Sequence, residues 1–94
     1  MKAEEAFFIE VTFWGRVQGV GFRWSTQRVA EGFSVRGYVK NLPNGSVKMV
    51  AEGEMSEVRS FLAALQERMA NYMEGCKVTE NHGPRRFTEF AIAY

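Results

Sequence analysis

Phe13-Trp14-Gly15-Arg16-Val17-Gln18-Gly19-Val20-Gly21-Phe22-Arg23 joins two different periodicities. Upstream, Phe7, Ile9, Val11 and Phe13 alternate with Phe8, Glu10, Thr12 and Trp14, the period-two pattern of a strand with its first set inward. Downstream, Phe22, Thr26, Val29, Ala30 and Phe33 fall on one face of a helix, and Gly32 sits where a C-terminal glycine cap belongs. Between them lies a glycine-rich loop. Glycine there admits φ > 0 and lets a ligand approach the backbone. Such a loop, running into a helix start, aims several N–H groups and the positive end of the helix dipole at one spot. Arg23 stands just inside that start with a planar fork suited to two oxygens of a phosphate or carboxylate. On these grounds the stretch reads as an oxyanion cradle, the alternative being a plain turn beside a solvated arginine. Its G-x-x-x-G-x-G spacing is neither the dinucleotide-binding fingerprint nor a Walker A loop.

Outward from the cradle, Val35 to Asn41 reads as a second strand and Leu42-Pro43-Asn44-Gly45 as a tight turn. A third strand from about Ser46 to Glu52 shows Val47, Met49 and Ala51 on one side, which makes a hairpin with the second. Ser56 is a candidate N-cap for a second helix, where Val58, Phe61, Leu62, Leu65, Met69 and Tyr72 or Met73 keep helical spacing. Cys76 to Glu80 reads as a short strand, and His82-Gly83-Pro84-Arg85-Arg86 as a loop. Phe87 to Tyr94 then reads as a last strand, with continuation of the previous edge one option. The order strand, helix, strand, strand, helix, strand predicts an α+β fold of split-βαβ type. Its antiparallel sheet carries both helices on one face.

Composition narrows the chemistry. The 94 residues make one small domain, with residues 7–94 as its expected core, and carry a net charge of +1. That charge gives no global drive toward nucleic acid or acidic membranes. Between Gly15 and Lys40, however, Arg16, Arg23, Arg28, Arg36 and Lys40 face Glu31 alone, a balance that favours a small anionic ligand. All 11 acidic residues are glutamates, so aspartyl-phosphate chemistry and Asp-rich metal loops are excluded. A lone histidine, His82, argues against a His-based zinc site. A lone cysteine, Cys76, cannot form an internal disulfide and reads as a half-buried packing residue. With no apolar run long enough for a bilayer and no signal peptide, a cytoplasmic protein is expected.

Gly15-Arg16-Val17-Gln18-Gly19-Val20-Gly21-Phe22-Arg23 resembles the signature of the acylphosphatase family. Gly37-Tyr38-Val39-Lys40-Asn41 with Asn44-Gly45 resembles its second element, and the Phe90, Ile92, Tyr94 ending a third. The likeness runs from about Phe7 to Tyr94. Met69 to Gly75 departs from it, lacking the family's Gly-Pro pair, and leaves the register of about 69–80 open. The resemblance implies a ferredoxin-like α/β sandwich (βαββαβ) and hydrolysis of small acyl phosphates to carboxylate and phosphate. It implies phosphate binding by the 15–21 loop (Gly15, Arg16, Val17, Gln18, Gly19, Val20, Gly21) and Arg23, a water oriented by Asn41, and no metal or cofactor.

The residues fit that reading on their own terms. A carboxylate leaving group needs no general acid, so positioning and electrostatics suffice. A neutral amide at position 41 can donate to phosphate and accept from water, where an aspartate would repel the anion. Arg85-Arg86 reads as a solvated pair, and Trp14 and Trp24 flank the cradle, where they line the acyl side of the pocket or simply cover the sheet end. Two other functions compete. One is a non-catalytic anion-binding or regulatory domain on this scaffold, related to one in larger carbamoyl-phosphate-handling proteins. The other is single-stranded RNA binding, which Arg36-Gly37-Tyr38-Val39 echoes from the wrong strand. The expectation is a monomer acting on a small molecule, without nucleic acid or membrane.

Overall fold

The computed structural model describes residues 5–94. In chain order it has β1 (Glu5–Gly15), α1 (Phe22–Ala30), β2 (Val35–Asn41), β3 (Val47–Gly53), α2 (Met55–Arg68), β4 (Met73–Pro84) and β5 (Phe90–Ala93). The sheet order is β4-β1-β3-β2-β5. The pairs β1–β3, β1–β4 and β2–β3 are antiparallel, as the sequence pattern predicts. The last strand, expected within Phe87 to Tyr94, runs parallel to β2 with Gly37 opposite Phe90 and Lys40 opposite Ala93, so the sheet is not purely antiparallel.

Period-two alternation decides which sheet face meets the helices. Ile9, Val11, Phe13, Val39, Val47, Met49 and Ala51 join Phe22 of α1 and Val58, Phe61 and Leu65 of α2 in one buried cluster. Both helices therefore lie on a single face, each covering the sheet with the stripe its spacing foretells. Burial of this kind contributes roughly 1.5–3 kcal/mol per large apolar side chain. The 42–45 turn forms as expected, with Gly45 N–H donating to the Leu42 carbonyl at 3.1 Å and Gly45 at φ 92°.

The second sheet face is where the structure departs from expectation. Strand β3 is buried on both sides, so Val50 and Glu52 are as inaccessible as Met49 and Ala51. Over Glu52 lie residues 85–89, whose Arg86 and Phe87 amides donate to its carboxylate. The chain leaves β4 at one edge, crosses this face, and enters β5 at the opposite edge. On the way the Phe87 ring meets Tyr38 edge-on at 5.9 Å, and the Arg86 guanidinium lies 4.6 Å from the Phe8 ring centre. The last strand is thus shorter than Phe87 to Tyr94 and does not continue β4.

Three other boundaries shift. Strand β4 runs Met73–Pro84, well beyond Cys76 to Glu80, and absorbs His82-Gly83-Pro84 from the expected loop. Most of its side chains are exposed, so no apolar alternation marks its ends; pairing with β1 defines it. Glu54, not Ser56, occupies the N-cap position of α2, without a side-chain capping bond, and Ser56 lies inside the first turn, its hydroxyl donating to Glu54 Oε1 at 3.0 Å. Helix α1 ends on Glu31 in right-handed geometry, and Gly32 donates to the Val29 carbonyl at 3.0 Å without turning left-handed.

Candidate active site

The loop after β1 is tied down at both ends. Arg16 N–H donates to the Tyr72 carbonyl at 2.8 Å. Gln18 Nε2 donates to the carbonyls of Leu42 and Ser46, each at 2.8 Å, and so fastens the loop to the β2–β3 hairpin. Val17 drops its side chain into the core. With these anchors set, the remaining backbone turns outward through Gly19 at φ 78° and Gly21 at φ 75°. Both lie in the left-handed region that a side chain rarely adopts. Gly21 is the N-cap of α1, and no side chain caps that helix.

The first intrahelical bond runs from Ser25 N–H to the Gly21 carbonyl at 2.9 Å, so the N–H groups of Phe22, Arg23 and Trp24 precede it. The first turn holds no acidic residue to compensate them. An uncapped helix start of this kind attracts an anion through both its donors and its dipole.

That start opens into a pocket of about 280 Å³ lined by Val17, Gly19, Gly21, Phe22, Arg23, Trp24, Asn41, Ile92 and Tyr94. Arg23 is half-buried there. Its Nη1 donates to the Ala93 carbonyl at 3.4 Å and its guanidinium lies 5.0 Å from the Tyr94 ring centre. These contacts leave most of the guanidinium's five donors unspent. Asn41 ends β2 on the same pocket. Among the described residues, its Oδ1 is the one buried side-chain polar atom without a hydrogen-bond partner. Leaving a buried acceptor unsatisfied costs roughly 1–3 kcal/mol.

Of the expected loop residues, Val17, Gly19 and Gly21 reach the pocket wall together with Arg23 and Asn41. Gly15, Arg16, Gln18 and Val20 stand behind it. Gly15 and Arg16 close the β1 end, Gln18 braces the hairpin, and Val20 packs on the core. The Arg16 amide is spent on Tyr72 and its guanidinium lies 5.9 Å from the Tyr72 ring centre.

The two tryptophans separate. Trp14 lies across Gly75, where an added Cβ would stand 2.6 Å from the indole, whereas Trp24 lines the pocket and is 57% exposed. The sequence did not single out Ile92 or Tyr94 as pocket walls; the parallel pairing of β5 with β2 brings them there. Tyr38, the aromatic of the RNA-binding reading, is occupied by Phe87. Cys76 is half-buried and takes a contact from Gln66 Nε2 at 3.3 Å. Among the described residues, no three His, Cys or Glu side chains converge as a metal site, and no helix is long and apolar enough to cross a membrane.

A glycine loop, a guanidinium and a neutral amide on one pocket agree with what comparison finds. A family model described as Acylphosphatase matches residues 9–92. The chain belongs to the acylphosphatase family. It is 42% identical over 85 residues to a protein named Acylphosphatase from Leuconostoc mesenteroides subsp. mesenteroides, the match spanning 89% of this chain and 94% of that one. Its fold is similar to the crystal structure of acylphosphatase from Bacillus subtilis, with a TM-score of 0.84, 32% identity, and coverage of 94% of this chain and 99% of that one. A segment of T.kodakarensis HypF is also similar, with a TM-score of 0.70 and 33% identity over 95% of this chain but 12% of that one. The family's fold therefore occurs both alone and inside a longer chain.

Proposed function

We propose that this protein hydrolyses the carboxyl–phosphate bond of small acyl phosphates, releasing carboxylate and inorganic phosphate. The observation that carries the reading is the shared pocket: the uncapped start of α1, Arg23 and Asn41 all border it, and Asn41 Oδ1 has no partner within the protein. In the proposed complex, the phosphoryl oxygens accept from the N–H groups of the loop and first helical turn. Arg23 donates bidentately to two of the same oxygens. Asn41 Oδ1 accepts a hydrogen bond from a water and aims it at phosphorus. The P–O bond to the acyl group breaks as the water oxygen bonds to phosphorus, and the acyl oxygen departs with the electron pair as carboxylate. The water's proton passes to a phosphoryl oxygen, so no side chain has to titrate. Arg23 and the helix dipole supply the charge stabilisation that phosphoryl transfer demands, and the reaction runs without a metal.

Beyond the phosphate, Trp24, Ile92 and Tyr94 offer an apolar rim for the acyl group. The reading takes residues 7–94 as one working unit, monomeric and cytoplasmic.

The test is phosphate release from benzoyl phosphate in the presence of a chelator, with wild type, Arg23→Ala and Asn41→Ala side by side. Turnover by wild type alone is expected. A folded wild type that binds phosphate but releases none would make the pocket a binding site and end the catalytic reading.

A further inference from the structure

Glu52 is the buried charge for which the proposed chemistry has no use. It is 0% exposed in the middle strand of the sheet. A carboxylate in such a place is costly unless it is paired and hydrogen-bonded. Arg36, directly opposite on β2, supplies the pair, with Nε 3.1 Å from Oε2. The other donors come from elsewhere in the chain. Arg86 N–H reaches Oε1 at 3.1 Å and Phe87 N–H reaches Oε2 at 3.2 Å. These amides belong to the strap that crosses the open sheet face, whose side chains at Arg86, Thr88 and Glu89 are exposed. Amides in an exposed segment could be satisfied by water. Their convergence on one buried carboxylate fixes where the strap lies.

The strap leads straight to the pocket. Gly37 N–H donates to the Glu89 carbonyl at 2.9 Å, and the next residue opens β5. β5 is an edge strand of four residues, held by β2 on one side only. At its far end the Ala93 carbonyl accepts from Arg23 Nη1, the Tyr94 ring lies beside the guanidinium, and Ile92 and Tyr94 line the pocket. Glu52 sits at one end of this path and Arg23 at the other. Between them lies the length of β2 from Arg36 to Asn41, roughly 16 Å at the usual rise per residue.

We infer that Glu52 is a positioning residue for Arg23: by latching the strap it sets where β5 presents the Ala93 carbonyl and the Tyr94 ring to the guanidinium. The inference rests on the reading of Arg23 as the phosphate-binding group. Glu52 touches no substrate and acts only through the placement of β5.

The experiment titrates inorganic phosphate by calorimetry into wild type, Arg23→Ala, Glu52→Gln and the Arg23→Ala/Glu52→Gln double variant, at a temperature where circular dichroism shows each folded. Glutamine keeps the size and one accepting oxygen but gives up the charge that holds Arg36 and both amides. Misplacing a binding group from a distance can cost up to about 100-fold; phosphate affinity in Glu52→Gln is expected to fall roughly tenfold. Because the effect passes through Arg23, the double variant is expected to bind phosphate as weakly as Arg23→Ala and no more weakly. A purely structural Glu52 would lower the melting temperature and leave the phosphate affinity of the folded protein unchanged, and that result overturns the inference. Additive losses in the double variant overturn it as well. Should Arg23→Ala itself bind phosphate like wild type, the reading of the site falls and the inference with it. Should Glu52→Gln not fold, Arg86→Pro removes one strap donor from the solvent side, and unchanged phosphate affinity there is equally fatal.

Discussion

Asn41 and Glu52 stand at opposite ends of the β2–β3 pair, and their surroundings differ in kind. Glu52 carries a full charge, yet every part of its carboxylate is answered, by Arg36 and by two amides of the strap. Asn41 is neutral and far easier to satisfy, yet its Oδ1 is buried without a partner. A folded chain tolerates the expensive group once it is fully hydrogen-bonded, and here leaves the cheap one unpartnered in a residue that lines the pocket. The contrast separates a polar group that holds the architecture from one that, on the proposed reading, orients the water.

The comparison is broken most severely at the pocket's cation. Arg23→Ala is expected to lose about 3 kcal/mol of transition-state stabilisation, at least roughly 10²-fold in kcat/KM, with little change in melting temperature. Arg23→Lys is expected to fail nearly as badly, since a point charge does not replace the fork; both are read from benzoyl phosphate hydrolysis. At the other end, Glu52→Ala is expected to lose about 3 kcal/mol of folding stability in urea unfolding, because Arg36 and two amides are left without their acceptor. Asn41→Ala sharpens the contrast: turnover is expected to fall roughly 10²-fold, while stability stays within about 0.5 kcal/mol of wild type, since the acceptor removed was already unpartnered. A loss of stability equal to that of Glu52→Ala would erase the distinction.

The smallest effect belongs to a surface pair outside the comparison. Arg59 donates twice to Glu80, at 3.0 and 2.8 Å, and holds that carboxyl below its ordinary range. A lowered carboxyl contributes stability that is present above its unfolded value and fades as pH falls below about 4. The pair lies on the surface, so Arg59→Gln is expected to change the melting temperature marginally at neutral pH and less still in acid.

How legible these features were in the sequence depends on how local their causes are. The strand of Phe7 to Phe13, the α1 stripe and the 42–45 turn announce themselves because adjacent residues determine them. The pocket's floor was equally legible, since Gly19, Gly21 and Arg23 sit within one strand–helix junction. Glu52 was not. In a half-buried strand it alternates with Ala51 and belongs on the wet face; only the strap from residues 85–89 makes that face dry. One signal did exist: Met49-Val50-Ala51 is an unbroken apolar run, the mark of a strand covered on both sides. Where the two tryptophans lie was likewise a packing question: Trp14 rests on Gly75, and Trp24 lines the pocket. The ends of β4 left no trace because an exposed edge strand has no apolar face to pattern.

The parallel docking of β5 also bears on the order in which the molecule matures. β5 joins a partner strand far earlier in the chain, and such long-range pairings form late because loop closure must come first. The β1–β3 and β2–β3 ladders and both helices can assemble without it. On that schedule an intermediate has the glycine loop and Arg23 but no Ile92 or Tyr94 wall beside them. Catalytic competence then arrives as the last event of folding, and recovery of activity after dilution from denaturant should lag recovery of helical signal.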